Sequence, residues 1–561
     1  MRSKGFVSAF FIATTSGHSV QKWKGKEMNR KNMKKLYKIT PYVMLGLMVA
    51  GCTDLDTEPL SSTITSDQKE EVVESDPSRL EASVAAVAAN FTQYAKIYTE
   101  DDNVHSDIGY PTIMLATESR GTDMVADITG YNWYSNSADY SDCLNTSTAT
   151  IEFWGTLYNQ IFTANNVIGT VDNETEDPTL QYYLAQALAV RAFDYFTLIQ
   201  LYQFNYKGHE SAMGMPLITE QNATEVAANG CARSTVQETY DFILADLNKA
   251  IELLTATTKE RDDKRYVSLD VAYGIRARVY LAMHNYAEAL KDAEAALAKT
   301  TATPYSRADV SKPSFINIED NSWMWGILIT EQDRVSTTGI CNFPSHMGSL
   351  NYGYASVGGW RRISPKLYSE IPASDVRKGW FLNGEGVSAN LPAAAQTYIT
   401  GKKAPAYTQV KYGVLNDQWG TDNNATDIIL MRVEEMYLIK AEAQAMSGNV
   451  SGGVSTLNSF VTAYRDPSYQ CTATTPEAVQ EAVWQQRRLE FWGEGMAYFD
   501  IMRLNKGVNR LGCGFPTTAV FNITAGDPVQ IYSIPNKEVQ YNPLLENNPL
   551  VSAPTPIPDV E

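Results

Sequence analysis

Six cysteines and five histidines are few for a chain of 561 residues. Their spacing narrows the chemistry further. No two cysteines stand in CxxC spacing and no histidines in HExxH, so the usual zinc and thiol-redox sites are missing. Walker A, G-x-S-x-G and G-x-G-x-x-G patterns are missing too, which speaks against P-loop, nucleophile-elbow and dinucleotide enzymes. Gly512-Cys513-Gly514 lacks a third glycine. Positive charge is also scarce, with 46 Lys+Arg against 64 Asp+Glu and a net charge of −18. Such a balance repels nucleic acid and anionic headgroups. The apolar run from Tyr42 to Ala50 is too short to cross a bilayer as a helix.

That run belongs to a targeting segment. Lys34, Lys35 and Lys38 precede it, and it ends Val49-Ala50-Gly51-Cys52. Small residues before a cysteine at the end of an apolar run form a bacterial lipoprotein signal, so residues 1–51 are expected to be removed and Cys52 to carry lipid. Residues 1–27 lie upstream of a complete signal, and Met28 or Met33 is the more natural start. On cleavage Lys+Arg fall from 46 to 36 and Asp+Glu from 64 to 63, leaving −27. Asp54, Asp56 and Glu58 open a polar tether over 52–76. Five cysteines remain, Cys143, Cys231, Cys341, Cys471 and Cys513, an odd number at wide spacing that reads as mostly buried free thiols.

What the chain does have is helical periodicity and aromatics, including 32 Tyr and 10 Trp. Between Leu269 and Leu297 two helical patterns meet at His284-Asn285. Tyr273, Ala277, Tyr280 and Leu281 share one face, and Tyr286, Ala289, Leu290, Ala293 and Leu297 share the other. Ala277 and Ala289 let two antiparallel helices approach closely, the device of a tetratricopeptide hairpin. A similar unit follows at 433–460. Further helices are expected over 77–98 with an Ala-rich face (Ala82, Ala85, Ala86, Ala89), and over 151–171 and 181–203. Others are expected over 428–446, 452–464, 476–492 and 494–504. Another ends near Leu254, with Ser234 as N-cap and Gln237 completing a capping box. Two stretches, 101–150 and 304–427, break the periodicity and are rich in aromatics, which argues against disorder. Trp323 and Trp325 sit in an apolar strand-like run and are assigned to the core. His105, His209, His284 and His346, far apart in sequence, read as surface or cap residues.

Arg487, Arg488, Glu490, Glu494, Asp500 and Arg503 alternate in sign around Phe491, Trp492 and Phe499. Arg487 and Glu490 are i,i+3 and can meet on a helix face. Gly493 and Gly495 mark a tight break. A catalytic Glu490/Glu494 acid pair would need one raised pKa, but Arg neighbours hold both ionised, so the group reads as a structural ion network.

Several stretches resemble, in order, the SusD/RagB outer-membrane lipoproteins of Bacteroidetes. They are Cys52 followed by LDTEPL, ALAVRAFDYFTLIQLY (187–202), MGMPLIT (213–219), ARSTVQETYDFILADLNKAIELL (232–254) and the 269–297 hairpin. Asp375-Val376-Arg377, DIILMRVEEMYLIKAEA (427–443), RRLEFWGEGMAYFDIMRL (487–504) and IPNKEVQYNPLLENNP (534–549) continue the series. The acidic run after Cys52 likewise resembles the surface-export signal of such lipoproteins. The resemblance implies an all-α dominated fold: a tetratricopeptide-like right-handed superhelix carrying a loop-rich subdomain. Residues 77–561 would form one unit, with helices about 77–100, 151–300 and 428–504, insertions about 101–150 and 304–427, and a C-terminal loop segment 505–561. It implies a surface-exposed, lipid-anchored outer-membrane protein that captures glycans and passes them to a SusC-like TonB-dependent transporter. No catalysis, cofactor, metal or nucleic acid is implied. A helical glycosidase of the (α/α)-barrel type, and a binder of peptides or other nutrients, are the rival readings.

A sugar presents an apolar C–H face and a hydroxyl rim, which calls for flat aromatics flanked by hydrogen-bonding groups. Two stretches fit: Tyr131, Asn132, Trp133 and Tyr134; and Tyr352 and Tyr354 with Trp360 and Arg361. Trp133 and Trp360 lead. The same rings could instead pack the loops together.

Overall fold

The computed structural model describes residues 72–92, 104–337 and 339–560. Cys52, the signal segment and nearly all of the tether lie outside them. Among the described residues no helix is long and apolar enough to cross a membrane.

The helical periods fold into pairs that stack in chain order. After α1 (Glu81–Ala89) and α2 (Tyr110–Ser119) come α3 (Thr148–Ile168), α4 (Pro178–Tyr202) and α5 (Val236–Ala256). Next come α6 (Leu269–Ala282) and α7 (Tyr286–Lys299). Beyond the long insertion, which contains α8 (Ala393–Gly401), lie α9 (Val433–Met446), α10 (Val450–Tyr464), α11 (Pro476–Glu490) and α12 (Ala497–Arg503). Each of α3 to α7 packs on the next, α7 packs directly on α9, and α9 packs on both α10 and α11. The insertion therefore leaves the helical stack unbroken, as in a tetratricopeptide array. α4 is buried on almost every side, which explains its weak one-sided pattern.

The two repeat hairpins share one turn geometry. His284 and Gly448 both take left-handed φ, at 59° and 94°. The next residue, Asn285 or Asn449, sends its N–H five residues back, to Tyr280 O and Gln444 O at 2.9 Å. Its side chain then caps the following helix. This is a Schellman-type stop followed at once by an N-cap, so two residues reverse the chain. Ala277 and Ala289 are fully buried, as close helix approach requires. In the second hairpin Gly453 has that role, since a Cβ there would lie 2.6 Å from Ala441 O.

Some boundaries differ from expectation. The first helix ends at Ala89, and Thr92 bridges to Gly109; residues 93–98 lie outside the described residues. Its buried face is Leu80, Val84 and Val87 and not the alanines, of which Ala82 and Ala89 are exposed. The capping box shifts by one residue to Thr235 and Glu238. Thr235 bridges to Met213 and Ser234 N donates to Met215 O, so the chain is still extended at Ser234. Ile428 to Arg432 is a strand, β4, and the helix begins only at Val433. A short run buried on both faces reads alike as strand or helix. β4 pairs antiparallel with β2 (Trp323–Ile327), pinching the insertion at its root, with Trp323 and Trp325 fully buried.

Where α11 turns into α12, the sign-alternating stretch forms a buried lattice of charge. Glu490 Oε1 accepts from Arg432 and Arg465, and Oε2 from Arg465 and Arg377. Glu494 accepts from Lys411 Nζ at 2.6 Å and from Arg432. Burial alone would raise the Glu490 carboxyl, but Arg465 and then Arg432 and Arg377 hold it far below the usual range. The expected Arg487–Glu490 pair is not made. Arg487 turns to Asp500, which also accepts from Arg503, and Arg503 grips Glu442. Arg488 leaves the cluster for Asp123, 2.5 Å away. Gly493 and Gly495 both take φ +79°, and a Cβ on Gly495 would meet the Met114 backbone at 2.9 Å. Glu118 Oε1 receives the N–H groups of Gly495 and Met496. Burial, and then Asp123, push the Glu118 carboxyl up to about 7.

Candidate functional site

Asp123, the partner of Arg488, begins the site. Its carbonyl also accepts from Trp492 Nε1 at 3.1 Å and from Ser364 N at 2.8 Å. The next residues form β1 (Met124–Val125), which pairs antiparallel with β3 (Arg362–Ile363). The charge lattice thus anchors the point from which two aromatic loops spring, 126–134 after β1 and 350–361 before β3.

Cross-links fasten the two loops. Arg361 donates to Asn132 Oδ1 at 2.8 Å and to His346 O at 3.0 Å. Arg362 pairs with Asp127 at 2.6 Å. The Tyr131 ring lies across Gly358, where a Cβ would fall 2.7 Å from it, and a Cβ on Gly359 would stand 2.8 Å from Tyr131 O. Gly358 also takes φ +152°. These two glycines are what let the loops touch.

Behind this contact lies an aromatic base. Trp133 stacks on His105 at 4.7 Å, His105 hydrogen-bonds Tyr354, and His346 stacks on Tyr354 at 4.7 Å. Tyr134 meets His346 edge-on. Burial, with the Arg361 charge adding to it, lowers His346 to about 3, so its ring is neutral. Burial also lowers Arg361, to about 10. Two of the four histidines expected at surfaces or caps therefore belong to this base, His346 fully buried and His105 partly so.

The expected site residues divide sharply. Tyr131 and Tyr352 are 50% and 46% exposed, and Trp133 is half-buried. Asn132, Tyr134, Tyr354 and Arg361 are buried and hold the loops from within. Trp360 is 8% exposed and packs with Leu350, Leu382, Ala395, Ile399, Val410 and Val414. It is a core residue of the insertion and offers no free face, because it leads directly into the buried Arg361 and β3.

A third element stands beside Tyr352. Tyr352 N donates to Thr421 O and Gly420 N to Leu350 O, both at 2.7 Å. Tyr398 donates to Asn351 O at 2.9 Å. These bonds set α8 and the half-buried Trp419 beside Tyr352, with the Lys402 ammonium 5.9 Å from the Tyr352 ring and 5.5 Å from Tyr398. The signal available in the sequence was the pair Lys402-Lys403 closing a short Ala-rich helix. Among the described residues no group of three or more His, Cys, Asp or Glu is placed to hold a metal ion.

The chain matches the family described as starch-binding and associating with the outer membrane over residues 68–281, and the SusD family over residues 379–550. A SusD-like protein of Formosa agariphila is 25% identical over 397 residues, covering 64% of this chain and 73% of that protein. A SusD-like carbohydrate binding protein from Bacteroides vulgatus has the same fold, with TM-score 0.67 and 22% identity over 83% of this chain and 97% of that one. So does the surface glycan-binding protein A of Bacteroides thetaiotaomicron, solved with laminarihexaose, with TM-score 0.59 and 16% identity over 84% and 99%. With a tetratricopeptide-like helical stack and family matches over residues 68–281 and 379–550, this chain belongs to the SusD/RagB family.

Proposed function

We propose that this protein is a cell-surface glycan-binding lipoprotein. It is held to the outer membrane through Cys52, captures oligo- or polysaccharide and passes it to a SusC-like TonB-dependent transporter. One observation carries the reading: Tyr131 and Tyr352 hold half their surface open on loops that are locked from behind. An exposed, pre-positioned ring stacks on the C–H face of a sugar at little ordering cost. Tyr131, Tyr352 and Trp133 are the contact residues. Asn132, Tyr134, Tyr354, Trp360 and Arg361 fix their positions. The relative solved with laminarihexaose supports a glycan as the ligand class.

The glycosidase alternative needs a carboxylic acid and a carboxylate facing substrate. Glu490 and Glu494, the pair at helical spacing, are instead buried under Arg465, Arg432, Arg377 and Lys411. The test is titration of the full chain against soluble polysaccharides, with the same mixtures assayed for new reducing ends. Binding without product is expected. Product from a preparation free of other hydrolases would overturn the reading.

A further inference from the structure

We propose that the sugar bound at Tyr352 carries negative charge, as a carboxylate or a sulfate. The inference rests on the glycan-binding reading and narrows it.

Lys402 and Lys403 are exposed at the end of α8, beside the exposed Tyr352. Among the described residues neither lysine forms an ion pair, although Asp417 and Asp422 are exposed on the neighbouring segment. This occurs in a chain where acidic residues outnumber basic ones by 64 to 46. The two lysines are therefore not taken up by the exposed carboxylates near them, and Lys402 lies where the Tyr352 ring is open. The Lys402 ammonium sits within cation–π range of both Tyr352 and Tyr398, so the rings hold it at the platform and keep it from sweeping freely through solvent.

Lys403 adds a second observation. It follows the helix C-cap with φ +56°, the left-handed position that glycine or asparagine usually fills. Its N–H closes the turn on Thr400 O at 3.0 Å. A lysine there bears backbone strain that glycine would not, and strain of this kind points to use of the side chain. An open ring with the Lys402 ammonium over it and Lys403 exposed next in the chain suits a sugar with an apolar C–H face and an anionic substituent. The competing use of these lysines is to neutralise the carbonyl end of α8, which would stabilise the helix without touching a ligand.

The experiment compares matched polymers on the full chain: polygalacturonate against its methyl ester, and carrageenan against its desulfated form. The charged member of at least one pair is expected to bind on the order of tenfold more tightly at low salt. That preference should shrink as salt rises. Lys402→Gln with Lys403→Gln should erase the preference while leaving residual neutral binding, and Tyr352→Ala should lose both. The carboxylate and sulfate pairs distinguish the two sources of charge. Equal binding within both pairs, or a preference that survives the double lysine variant, overturns the inference and leaves glycan binding standing. A double variant that lowers only the melting temperature assigns the lysines to the helix end and overturns it as well. Failure to bind any of these polymers or any neutral polysaccharide overturns both the inference and the reading beneath it.

Discussion

Two regions of this molecule are built on opposite terms. In the lattice around Glu490 seven charged side chains meet in the dark: Arg377, Lys411, Arg432, Arg465, Glu434, Glu490 and Glu494 are all buried and all paired. At Tyr131 and Tyr352 the rings are half open, and among the described residues Lys402 and Lys403 form no ion pair. The first region has exhausted its valence internally, so nothing is left for a ligand. The second holds its backbone from behind and leaves its side chains unspent. The most recognisable stretch of the sequence, 487–504, falls in the first. Its link to the second is mechanical: Arg488 and Trp492 both grip Asp123, from which the first loop springs.

The contrast can be broken by substitution, beginning with the heaviest effect. Glu490→Gln removes the carboxylate that Arg377, Arg432 and Arg465 share, leaving Arg377 to Asp375, Arg465 to Glu434, and Arg432 to Glu434 and Glu494. Removing one partner of a buried charge cluster costs about 3–5 kcal/mol, and a loss of that order is expected. Urea denaturation checks it, and a variant within about 1 kcal/mol of the parent would show that the lattice is not the anchor described.

Trp360→Ala should cost about 3–4 kcal/mol through loss of packing in the Leu350–Ile399 cluster. It tests the boundary between the regions. A variant of unchanged melting temperature that no longer binds glycan would return Trp360 to the platform.

Glu118 gives the lattice edge a pH dependence. Its folded carboxyl lies near 7 against 4.5 for an unperturbed one. The folded state therefore holds the proton more tightly than the unfolded state. Its contribution is complete below about pH 4.5 and is lost as pH rises through 7, roughly 3 kcal/mol in all. Glu118→Gln can keep the bonds from Gly495 and Met496 through its amide oxygen, so it should flatten this slope. Denaturation at pH 5 and pH 8 reads the difference, and an unchanged slope would assign the titration to another group. His346 has the opposite sign. Its ring is neutral in the fold, so stability of the aromatic base is complete above about pH 6.5 and falls as pH drops towards 3.

The lightest effect on stability belongs to the exposed face. Tyr352→Ala should change unfolding free energy by no more than about 0.5 kcal/mol. It should weaken glycan binding tenfold or more, about 1.4 kcal/mol. Isothermal titration beside a thermal melt separates the two, and a large loss of stability with binding intact would make Tyr352 a packing residue.

The helices were legible because burial repeats at 3.6 residues wherever one face is covered, as in α5 and α7. The pattern failed where burial is complete. Ile428–Arg432 reads as the start of a helix because five consecutive apolar or stem-bearing residues are inside, and only its partner β2 makes it a strand. The site was legible as two stretches and not as residues. Tyr131 and Tyr134 are the same residue type three positions apart, yet one is half exposed and the other lies inside under Arg361. Irregular loops have no period from which to read a face.

The sequence by itself determined the stacked helical hairpins, the buried alanines between them, the ionised state of Glu490 and Glu494 in a charge network, and the two aromatic loops. Each of these depends on local period or local charge. Tertiary structure decided which aromatics face out, that Trp360 is core, that Arg488 reaches back to Asp123, and that Lys402 arrives beside Tyr352 from 50 residues away. Those outcomes depend on contacts between segments that share no local signal, fixed by strand pairs and single hydrogen bonds at the roots of the loops.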